Sequence, residues 1–301
     1  MKTVLEGRIL KGVGGFYYVE TPEHVYECRA RGLFRKEGIT PLAGDRVSIA
    51  ALPDGTGTVE EVLPRKNFLE RPPVANLDML VIVASVCEPS PNPLIIDRMT
   101  AQAVSAGIEP VLAISKTDLE SADPLSEIYR KAGILFFCVS AVTGEGVGKL
   151  EKLLAGKTTA FTGNSGVGKS TLLNSMFQNL RLETGEISRK LGRGRHTTRR
   201  VELLRLEGGG YAVDTPGFSS LDSLSFGGLK KEELANCFPD FAPYLGACRF
   251  TSCTHTCEEG CAVIEAVRGG AVSKSRHDSY VAMYREMKEI KQWNKKEKSA
   301  L

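Results

Sequence analysis

The segment from Gly163 to Ser170 constrains the fold of this chain more than any other feature. It reads Gly-Asn-Ser-Gly-Val-Gly-Lys-Ser, which matches the pattern Gly-x4-Gly-Lys-Ser. An apolar run from Thr158 to Thr162 precedes it, and an amphipathic segment from Lys169 to Asn179 follows. A glycine-rich loop between a strand and a helix presents backbone N–H groups to phosphate, and the helix N-terminus adds positive potential. We therefore predict a phosphate-binding loop within an α/β fold.

Two segments together predict a nucleoside triphosphate bound with Mg²⁺. In the first, Lys169 is expected to reach the β- and γ-phosphates, and the Ser170 hydroxyl is expected to bind Mg²⁺. The second is an Asp-Thr-Pro-Gly sequence after another apolar strand, in which Asp214 can hold the Mg²⁺ shell and the Gly217 N–H can meet the γ-phosphate. The other predicted contacts to the phosphates come from Gly163, Asn164, Ser165, Gly166, Val167, Gly168 and Thr171.

Guanine rather than adenine is indicated by two short segments that follow apolar strands. Their residues are Ser115, Lys116, Thr117 and Asp118 in the first segment, and Ser140 and Ala141 in the second. The Asp118 carboxylate can accept hydrogen bonds from guanine N1–H and the 2-amino group, with the Lys116 stem along the ring. Adenine offers neither donor and would leave a carboxylate unpaired, which is costly. A backbone N–H at Ser140-Ala141 can meet guanine O6.

A basic segment lies between the two phosphate elements. From residue 181 to residue 200 it carries seven Lys or Arg side chains and two acids, and such a charge run is often only a solvated loop. Thr197 and Thr198 lie where a switch threonine contacts Mg²⁺ and the γ-phosphate, although the sequence leaves open which one does so. Phe218 stands where many GTPases have the glutamine that orients water, so we nominate His196 for that task. A contact to RNA or a purely structural role are the alternatives for His196.

The C-terminal part holds a cluster of potential metal ligands. Cys248, Cys253, His255 and Cys261 follow the spacing Cys-x4-Cys-x-His-x5-Cys and offer three thiolates and one imidazole. Four such ligands complete a tetrahedral Zn²⁺ shell with no open position, which is typical of a structural rather than a catalytic ion. Cys257 is an extra thiol that can compete with His255. We predict one structural Zn²⁺ per chain.

The order of these motifs is unusual, because the base-reading segments precede the phosphate loop. It corresponds to the ordinary GTPase cycle cut after the Asp-x-x-Gly strand, and a cut in an exposed connection preserves the contacts. With the Cys-His cluster, this order makes the chain resemble the circularly permuted, ribosome small-subunit-dependent GTPase family over nearly its whole length. The resemblance implies a factor that binds the 30S subunit, contacts 16S rRNA, acts late in subunit maturation and hydrolyses GTP to GDP with stimulation by the subunit. One departure is Ser115, where GTPases usually carry Asn, and it puts a packing contact to the phosphate loop in doubt.

The predicted fold class is α/β, with three domains. Short alternating strands in residues 1–70 indicate a small antiparallel all-β barrel of the oligonucleotide/oligosaccharide-binding (OB) type, which is expected to bind RNA. Residues 74–228 form the circularly permuted P-loop GTPase core, and 229–301 a mostly helical zinc-binding domain. The stretch from Pro64 to Pro73 is interpreted as a linker. The aromatic run Phe16-Tyr17-Tyr18 is expected to stack on bases or to pack in the barrel core.

Composition bears on where the protein acts more than on which reaction it performs. A net charge of +3 over 301 residues does not by itself indicate nucleic acid. The longest apolar stretch, Met79 to Cys87, is too short to span a membrane, and the first residues lack the apolar run of a secretory signal. We therefore expect a cytoplasmic monomer with no membrane partner. Two alternatives stay open: a generic P-loop ATPase, and an RNA-binding module that uses nucleotide with little or no catalysis.

Overall fold

The structure, a computed structural model, describes residues 3–32, 34, 38–70, 72–177, 201–214 and 229–298. These residues belong to two units. The first comprises Met1–Leu80, Gly148–Thr162 and Lys169–Ser220, and the second comprises Val81–Val147, Gly163–Gly168 and Leu221–Leu301. The predicted switch residues His196, Thr197, Thr198 and Gly217 lie outside the described residues.

Five strands at the start of the first unit close into a barrel. They are β1 Thr3–Val13, β2 Phe16–Glu20, β3 Val25–Ala30, β4 Arg46–Ala51 and β5 Thr56–Val62. The order is β1-β2-β3-β5-β4, and β4 pairs back onto β1. The prediction of a purely antiparallel barrel is wrong at one pair, because β3 and β5 are parallel. The reason is geometric. Strand β5 runs in the same direction as β1, because β4 is antiparallel to both of them. Strand β3 also runs in the direction of β1, because β2 is antiparallel to both, so β3 and β5 are parallel.

The barrel interior is filled by small and branched side chains together with the ring of Phe34. Alternation along the strands turns one face inward, and the buried residues include Ile9, Val19, Cys28, Phe34, Val47, Ile49, Ala51 and Val59. Of the aromatic run, Tyr17 packs against this core. Phe16 and Tyr18 make cation–π contacts instead. The Arg29 guanidinium lies 4.7 Å from the centre of the Phe16 ring, and Lys11 Nζ lies 5.4 Å from the centre of the Tyr18 ring.

The stretch predicted as a linker has regular structure. It contains β6 Phe68–Glu70, which pairs antiparallel with β7 Pro73–Ala75. Arg65 is fixed to the barrel, because its Nε donates to Asp45 Oδ1 at 2.7 Å. The Asn67 side chain both donates to and accepts from the backbone of Leu77. These long-range hydrogen bonds order a segment whose Pro and Arg content alone suggested a linker.

From residue 79 to residue 176 strands and helices alternate, as expected of the predicted α/β class, and two further strands follow at residues 202–214. The elements are β8 Met79–Ser85, α1 Pro93–Ser105, β9 Glu109–Ser115, α2 Asp123–Lys131, β10 Leu135–Cys138, α3 Val147–Leu154, β11 Thr158–Thr162, α4 Lys169–Met176, β12 Glu202–Arg205 and β13 Tyr211–Asp214. In the first unit β11 and β13 are parallel, β13 and β12 are antiparallel, and β12 meets barrel strand β1 at the pair Lys11 and Glu202. In the second unit β10 is parallel to β9, and β9 lies beside β8, all of whose residues are buried.

The C-terminal part of the second unit is short-helical around the cysteines and then ends in one long helix. Two 3-10 segments, η1 Leu234–Cys237 and η2 Pro239–Tyr244, precede α5 Ala262–Arg268 and α6 Lys274–Lys298. Their shared core includes Phe238, Phe241, Val263, Tyr280 and Met283, and α1 contributes Ala101 to it. Helix α1, which comes after strand β8 in the chain, therefore packs against the C-terminal elements.

Candidate functional site

The phosphate-binding loop has the backbone that its glycines allow. Gly163, Gly166 and Gly168 all have positive φ, with values of 151°, 84° and 86°. At Gly163 a Cβ atom would collide with the carbonyl oxygen of Val83 and lie 3.2 Å from a methyl group of Val167. A side chain is therefore excluded there on two grounds. The chain then enters α4 with Lys169 as its first residue, so this loop leads directly into a helix N-terminus.

Asn164 provides a test of whether this loop suits a ligand. Its Oδ1 atom is buried and has no hydrogen-bond partner among the described residues. Buried acceptors are nearly always paired, so an orphaned one in a loop of positive-φ glycines is expected to meet a donor that the chain does not supply. A small cavity of about 20 Å³ adjoins it, lined in part by Val83, Ile96, Met99 and Val167. This oxygen suits a donor such as water, whereas the glycine-rich backbone of the loop is the part that suits phosphate.

Ser115 joins the base-reading segment to the phosphate loop. The residue is buried at the end of β9, and its hydroxyl donates to the carbonyl oxygen of Val167 at 2.6 Å. The Ser115 hydroxyl oxygen also lies 3.3 Å from the carbonyl oxygen of Ala84 on β8. The packing contact that the sequence put in doubt is present, because serine reaches the loop even though it is shorter than asparagine.

The rest of the base-reading segment is held in an unusual conformation. Lys116 has a φ of 61°, which is uncommon for a residue other than glycine and is found often at functional sites. Its Nζ donates to the carbonyl oxygen of Glu88, and the Leu119 N–H donates to its carbonyl oxygen at 2.9 Å. Asp118 follows on the exposed side of this turn. Its carboxylate is therefore accessible to a ligand.

Ser140 forms a tight turn after β10. The residue is fully buried, its hydroxyl accepts from the Thr143 N–H at 3.1 Å, and its own N–H donates to the carbonyl oxygen of Glu145 at 3.0 Å. Thr117 connects this turn to the base-reading segment, since its N–H donates to the carbonyl oxygen of Val139 at 3.4 Å. The two segments predicted to read the base thus lie side by side at the ends of adjacent parallel strands.

The four predicted metal ligands converge. The Sγ atoms of Cys248, Cys253 and Cys261 and a ring nitrogen of His255 all lie within 4.8 Å of one another. Nδ1 of His255 is 3.5 Å from Cys248 Sγ and 3.4 Å from Cys261 Sγ, and the two sulfurs are 3.9 Å apart. Tetrahedral ligands at about 2.3 Å from an ion are separated by roughly 3.8 Å, so this spacing suits a metal ion. Burial raises the pKa of the Cys253 thiol, and a bound cation would favour its thiolate form.

The loop between the ligands is organised by Glu258. Its carboxylate accepts from the backbone N–H groups of Thr254, Thr256 and Cys257, at 2.7, 2.9 and 3.1 Å. The Cys257 side chain is exposed and does not belong to the cluster of four. The competition between Cys257 and His255 that the sequence left open is therefore not seen in the geometry.

Helix α6 supports the cluster from behind. Nε2 of His277 donates to the carbonyl oxygen of His255 at 2.7 Å, and the Tyr280 hydroxyl donates to that of Thr254 at 2.8 Å. His255 itself has a φ of 57°, a conformation that needs such support. Sequence reasoning missed both helix residues, because nothing in their spacing relates them to the cysteines.

Sequence reasoning also missed a buried charged network in the second unit. Arg276 is fully buried and contacts Asp97 and Asp240 on two other elements. The one available signal was an aspartate within the apolar run Leu94-Ile95-Ile96-Asp97, since a lone acid on a buried helix face needs a partner.

The remaining predicted site residues are described only in part. Asp214 ends β13, but its side chain is outside the described residues, as are His196, Thr197, Thr198 and Gly217 in full. Ser170 and Thr171 lie in the first turn of α4, and Ala141 follows Ser140 in its turn. Within the part of the chain that is described, none of the helices combines the length and apolar character needed to cross a membrane.

Comparison with known proteins gives a consistent result. Residues 62–224 match the model of the RsgA GTPase family, and residues 6–59 match the RsgA N-terminal domain. A protein of Caldanaerobacter subterraneus named small ribosomal subunit biogenesis GTPase RsgA is 48% identical over 288 residues, with 95% of this chain and 96% of the relative covered. A protein of the same name from Geobacillus kaustophilus is 44% identical over 292 residues, with 95% and 98% covered.

Solved structures agree with these relatives. YjeQ from Thermotoga maritima superposes with a TM-score of 0.82 at 35% identity, covering 95% of this chain and 99% of the other. YloQ, described as a circularly permuted GTPase, gives 0.79 at 34% identity, covering 95% and 96%. These likenesses confirm the predicted fold class: a circularly permuted GTPase core, an N-terminal barrel of OB type and a C-terminal region with a Cys-His cluster suited to a metal.

Proposed function

The chain belongs to the RsgA GTPase family, and from that premise we propose that it is a GTP hydrolase that acts in maturation of the small ribosomal subunit. The observation that carries the proposal is the hydrogen bond between Ser115 and Val167, because it connects a segment suited to guanine with a loop suited to phosphate. A generic ATPase would have no use for the exposed Asp118 carboxylate in the segment that Ser115 bonds to that loop.

Each predicted site residue is proposed to contact one part of the nucleotide or its Mg²⁺ ion. The backbone of residues 163–168 and the side chain of Lys169 hold the phosphates, and Ser170 and Asp214 hold Mg²⁺. When bound there, Mg²⁺ would supply positive charge that offsets the negative charge of the phosphates. Asp118 accepts from the guanine edge, the Lys116 stem lies against the ring, and the turn at Ser140 and Ala141 offers a backbone donor to O6. Thr197 or Thr198 and Gly217 sense the γ-phosphate.

His196 is proposed to orient the attacking water. Phe218 has no polar group for this task, so unaided hydrolysis is expected to be slow. The neighbouring basic residues of the segment 181–200 are proposed to bind rRNA phosphates and so to position His196 when the subunit is bound. Stimulated turnover should then fall steeply with added salt, because each phosphate contact releases counterions.

Zinc is proposed as the metal, with one ion per chain. Three thiolates and one imidazole at tetrahedral spacing suit Zn²⁺, and four protein ligands leave no position for a substrate. The ion would therefore stabilise the C-terminal region rather than take part in chemistry. Because the segment from Asp214 to Phe218 leads into that region, a γ-phosphate contact at Gly217 is proposed to move it.

The wider assignments stay proposals. The relatives' name supports the 30S subunit as partner, and the barrel supports contact with 16S rRNA. The domain boundaries are proposed at 1–70, 74–228 and 229–301. The chain is proposed to act as a cytoplasmic monomer that cycles between GTP and GDP.

One experiment tests the function as a whole. GTP turnover is measured while purified 30S subunits are titrated in, with ATP in parallel and with His196→Ala as the variant. We expect slow basal GTP turnover, clear stimulation by subunits, no ATP turnover, and loss of stimulation in the variant with unchanged GTP binding. Absence of stimulation would favour an RNA-binding module in place of an enzyme, and stimulation retained in His196→Ala would remove that residue from catalysis.

A further inference from the structure

Arg276 forms a buried connection between helix α1 and the elements around the metal cluster. The side chains of Arg276 and of Asp97 on α1 are 0% exposed, and that of Asp240 on η2 is 2% exposed. Nη1 donates to Asp97 Oδ1 at 2.7 Å, Nη2 donates to Asp240 Oδ1 at 2.7 Å, and Nε donates to Asp240 Oδ2 at 3.2 Å. The guanidinium also lies 4.6 Å from the centre of the Phe238 ring. Such a planar, multidentate arrangement fixes the relative position of its partners.

The network is more than one ion pair. The Tyr129 hydroxyl of α2 donates to Asp97 Oδ1 at 2.9 Å. Burial raises the pKa of Asp97, while Arg276 and Tyr129 act in the opposite direction by holding the carboxylate. A charge of this kind is expensive to bury, and its partners must stay in place to offset the cost. Helices α1, α2 and α6 are thus tied to one another by groups that cannot separate freely.

Each end of this connection reaches a candidate ligand site. On α1, Ile96 and Met99 flank Asp97 and line the small cavity beside Asn164 and Val167 of the phosphate loop. On α6, the residue after Arg276 is His277, which donates to the carbonyl oxygen of the metal ligand His255. Helices α1 and α6, joined through Asp97 and Arg276, therefore connect the cavity beside the phosphate loop with the metal cluster.

We propose that Arg276 is a positioning residue that couples nucleotide binding to metal retention through α1 and α6. The inference rests on the proposed binding of nucleotide at the phosphate loop. Among the described residues, the cavity on α1 adjoins Gly163 and Asn164, which belong to the loop proposed to hold the phosphates that GDP and GTP share. GDP should therefore suffice. By reciprocity, the factor by which GDP raises the affinity for the metal equals the factor by which the metal raises the affinity for GDP.

The test measures metal release from the full chain to a chelating dye, with and without saturating GDP. In the unaltered protein, GDP is expected to slow release about fivefold or more, the lower range of measured couplings between sites. Arg276→Lys keeps the charge but loses the fork, and it should abolish most of this ratio. A purely structural role would change release equally with and without GDP and would leave the ratio unchanged.

Two further variants keep the test decisive. Tyr129→Phe removes only the hydroxyl at Asp97 and should reduce the ratio even if Arg276→Lys fails to fold. Arg268→Lys is the matched control, since Arg268 makes an exposed ion pair with Glu265 within one helix. Binding of a fluorescent GDP analogue is followed in the same samples. Absence of GDP binding would refute the proposed function. The coupling alone would be refuted if GDP bound but did not slow metal release from the unaltered protein. It would also be refuted if GDP slowed release from both variants as much as from the unaltered protein.

Discussion

The hydroxyl of Ser115 donates to the carbonyl oxygen of Val167 at 2.6 Å, across 52 positions of sequence. Both residues are buried, so water cannot replace this bond. The end of β9 and the middle of the phosphate loop are therefore held at a fixed distance. Base and phosphates of one nucleotide are joined by a ribose, so a site that reads both needs such a fixed spacing.

Loss of the Ser115 hydroxyl should weaken guanine nucleotide binding. Ser115→Ala leaves the Val167 carbonyl without its donor, a cost of about 1–3 kcal/mol, and we expect GDP affinity to fall by roughly tenfold. Ser115→Asn should restore affinity, because its amide can donate to the same carbonyl. Fluorescence titration with a GDP analogue measures both. Ser126→Ala is the control, since Ser126 is a buried serine bonded to the carbonyl oxygen of Asp123 in α2. An equal loss in the control would show a general packing effect.

The choice of base should depend on Asp118. In Asp118→Asn the carboxylate that accepts from guanine is replaced by an amide that can donate to the 2-oxygen of xanthine. GTP affinity is expected to fall by about a hundredfold or more, and xanthosine triphosphate is expected to bind more tightly than GTP. Competition titrations with the two nucleotides give the ratio. Glu120→Gln, an exposed acid two residues away, should keep the preference for GTP. A preference for GTP that survives in Asp118→Asn would place the base elsewhere.

The parts of the site that the sequence predicted are those encoded over short distances. The glycines of residues 163–168 require positive φ, and the Cys-His cluster is set by spacing within fourteen residues, so each pattern has a local physical cause. The contact between Arg276 and Asp97 spans 179 positions, and a single sequence contains no information about which buried charges meet. The hairpin of β6 and β7 was missed for a similar reason, since the bonds that order it, from Arg65 to Asp45 and from Asn67 to Leu77, depend on tertiary packing.

Metal retention should separate the two kinds of cysteine in the C-terminal region. Cys261 belongs to the cluster of four and is buried, whereas Cys257 is exposed and outside it. We expect Cys257→Ala to keep about one metal ion per chain and Cys261→Ala to lose it, with a lower thermal midpoint, because binding energy at a structural site is folding energy. Elemental analysis of the purified variants gives both the stoichiometry and the identity of the metal. Retention in Cys261→Ala with loss in Cys257→Ala would reverse the ligand assignment.

The pairing of Asp78 with Thr158 should make the phosphate-loop strand sensitive to acid. The Thr158 N–H donates to Asp78 Oδ2 at 2.8 Å, and the Asp78 N–H donates back to the Thr158 carbonyl oxygen at 2.8 Å. Burial raises the pKa of the Asp78 carboxyl, but the bond from Thr158 and the nearby Lys66 and Lys157 outweigh it, so the pKa is lowered. The stabilising contribution is therefore complete above the unfolded pKa of about 3.9 and is lost as the pH falls through the folded value.

Hydrogen exchange at Thr158 measures this contribution. At about pH 7, Asp78→Ala should speed exchange of the peptide containing Thr158, corrected for the intrinsic rate, by an amount equivalent to about 1 kcal/mol. At about pH 3 the difference between the variant and the unaltered protein should shrink, because the carboxylate is being protonated in the latter. Glu61→Ala, which removes an exposed acid from β5, should show no such change. A difference that stays constant between the two pH values would mean that shape, rather than charge, at Asp78 holds the strand.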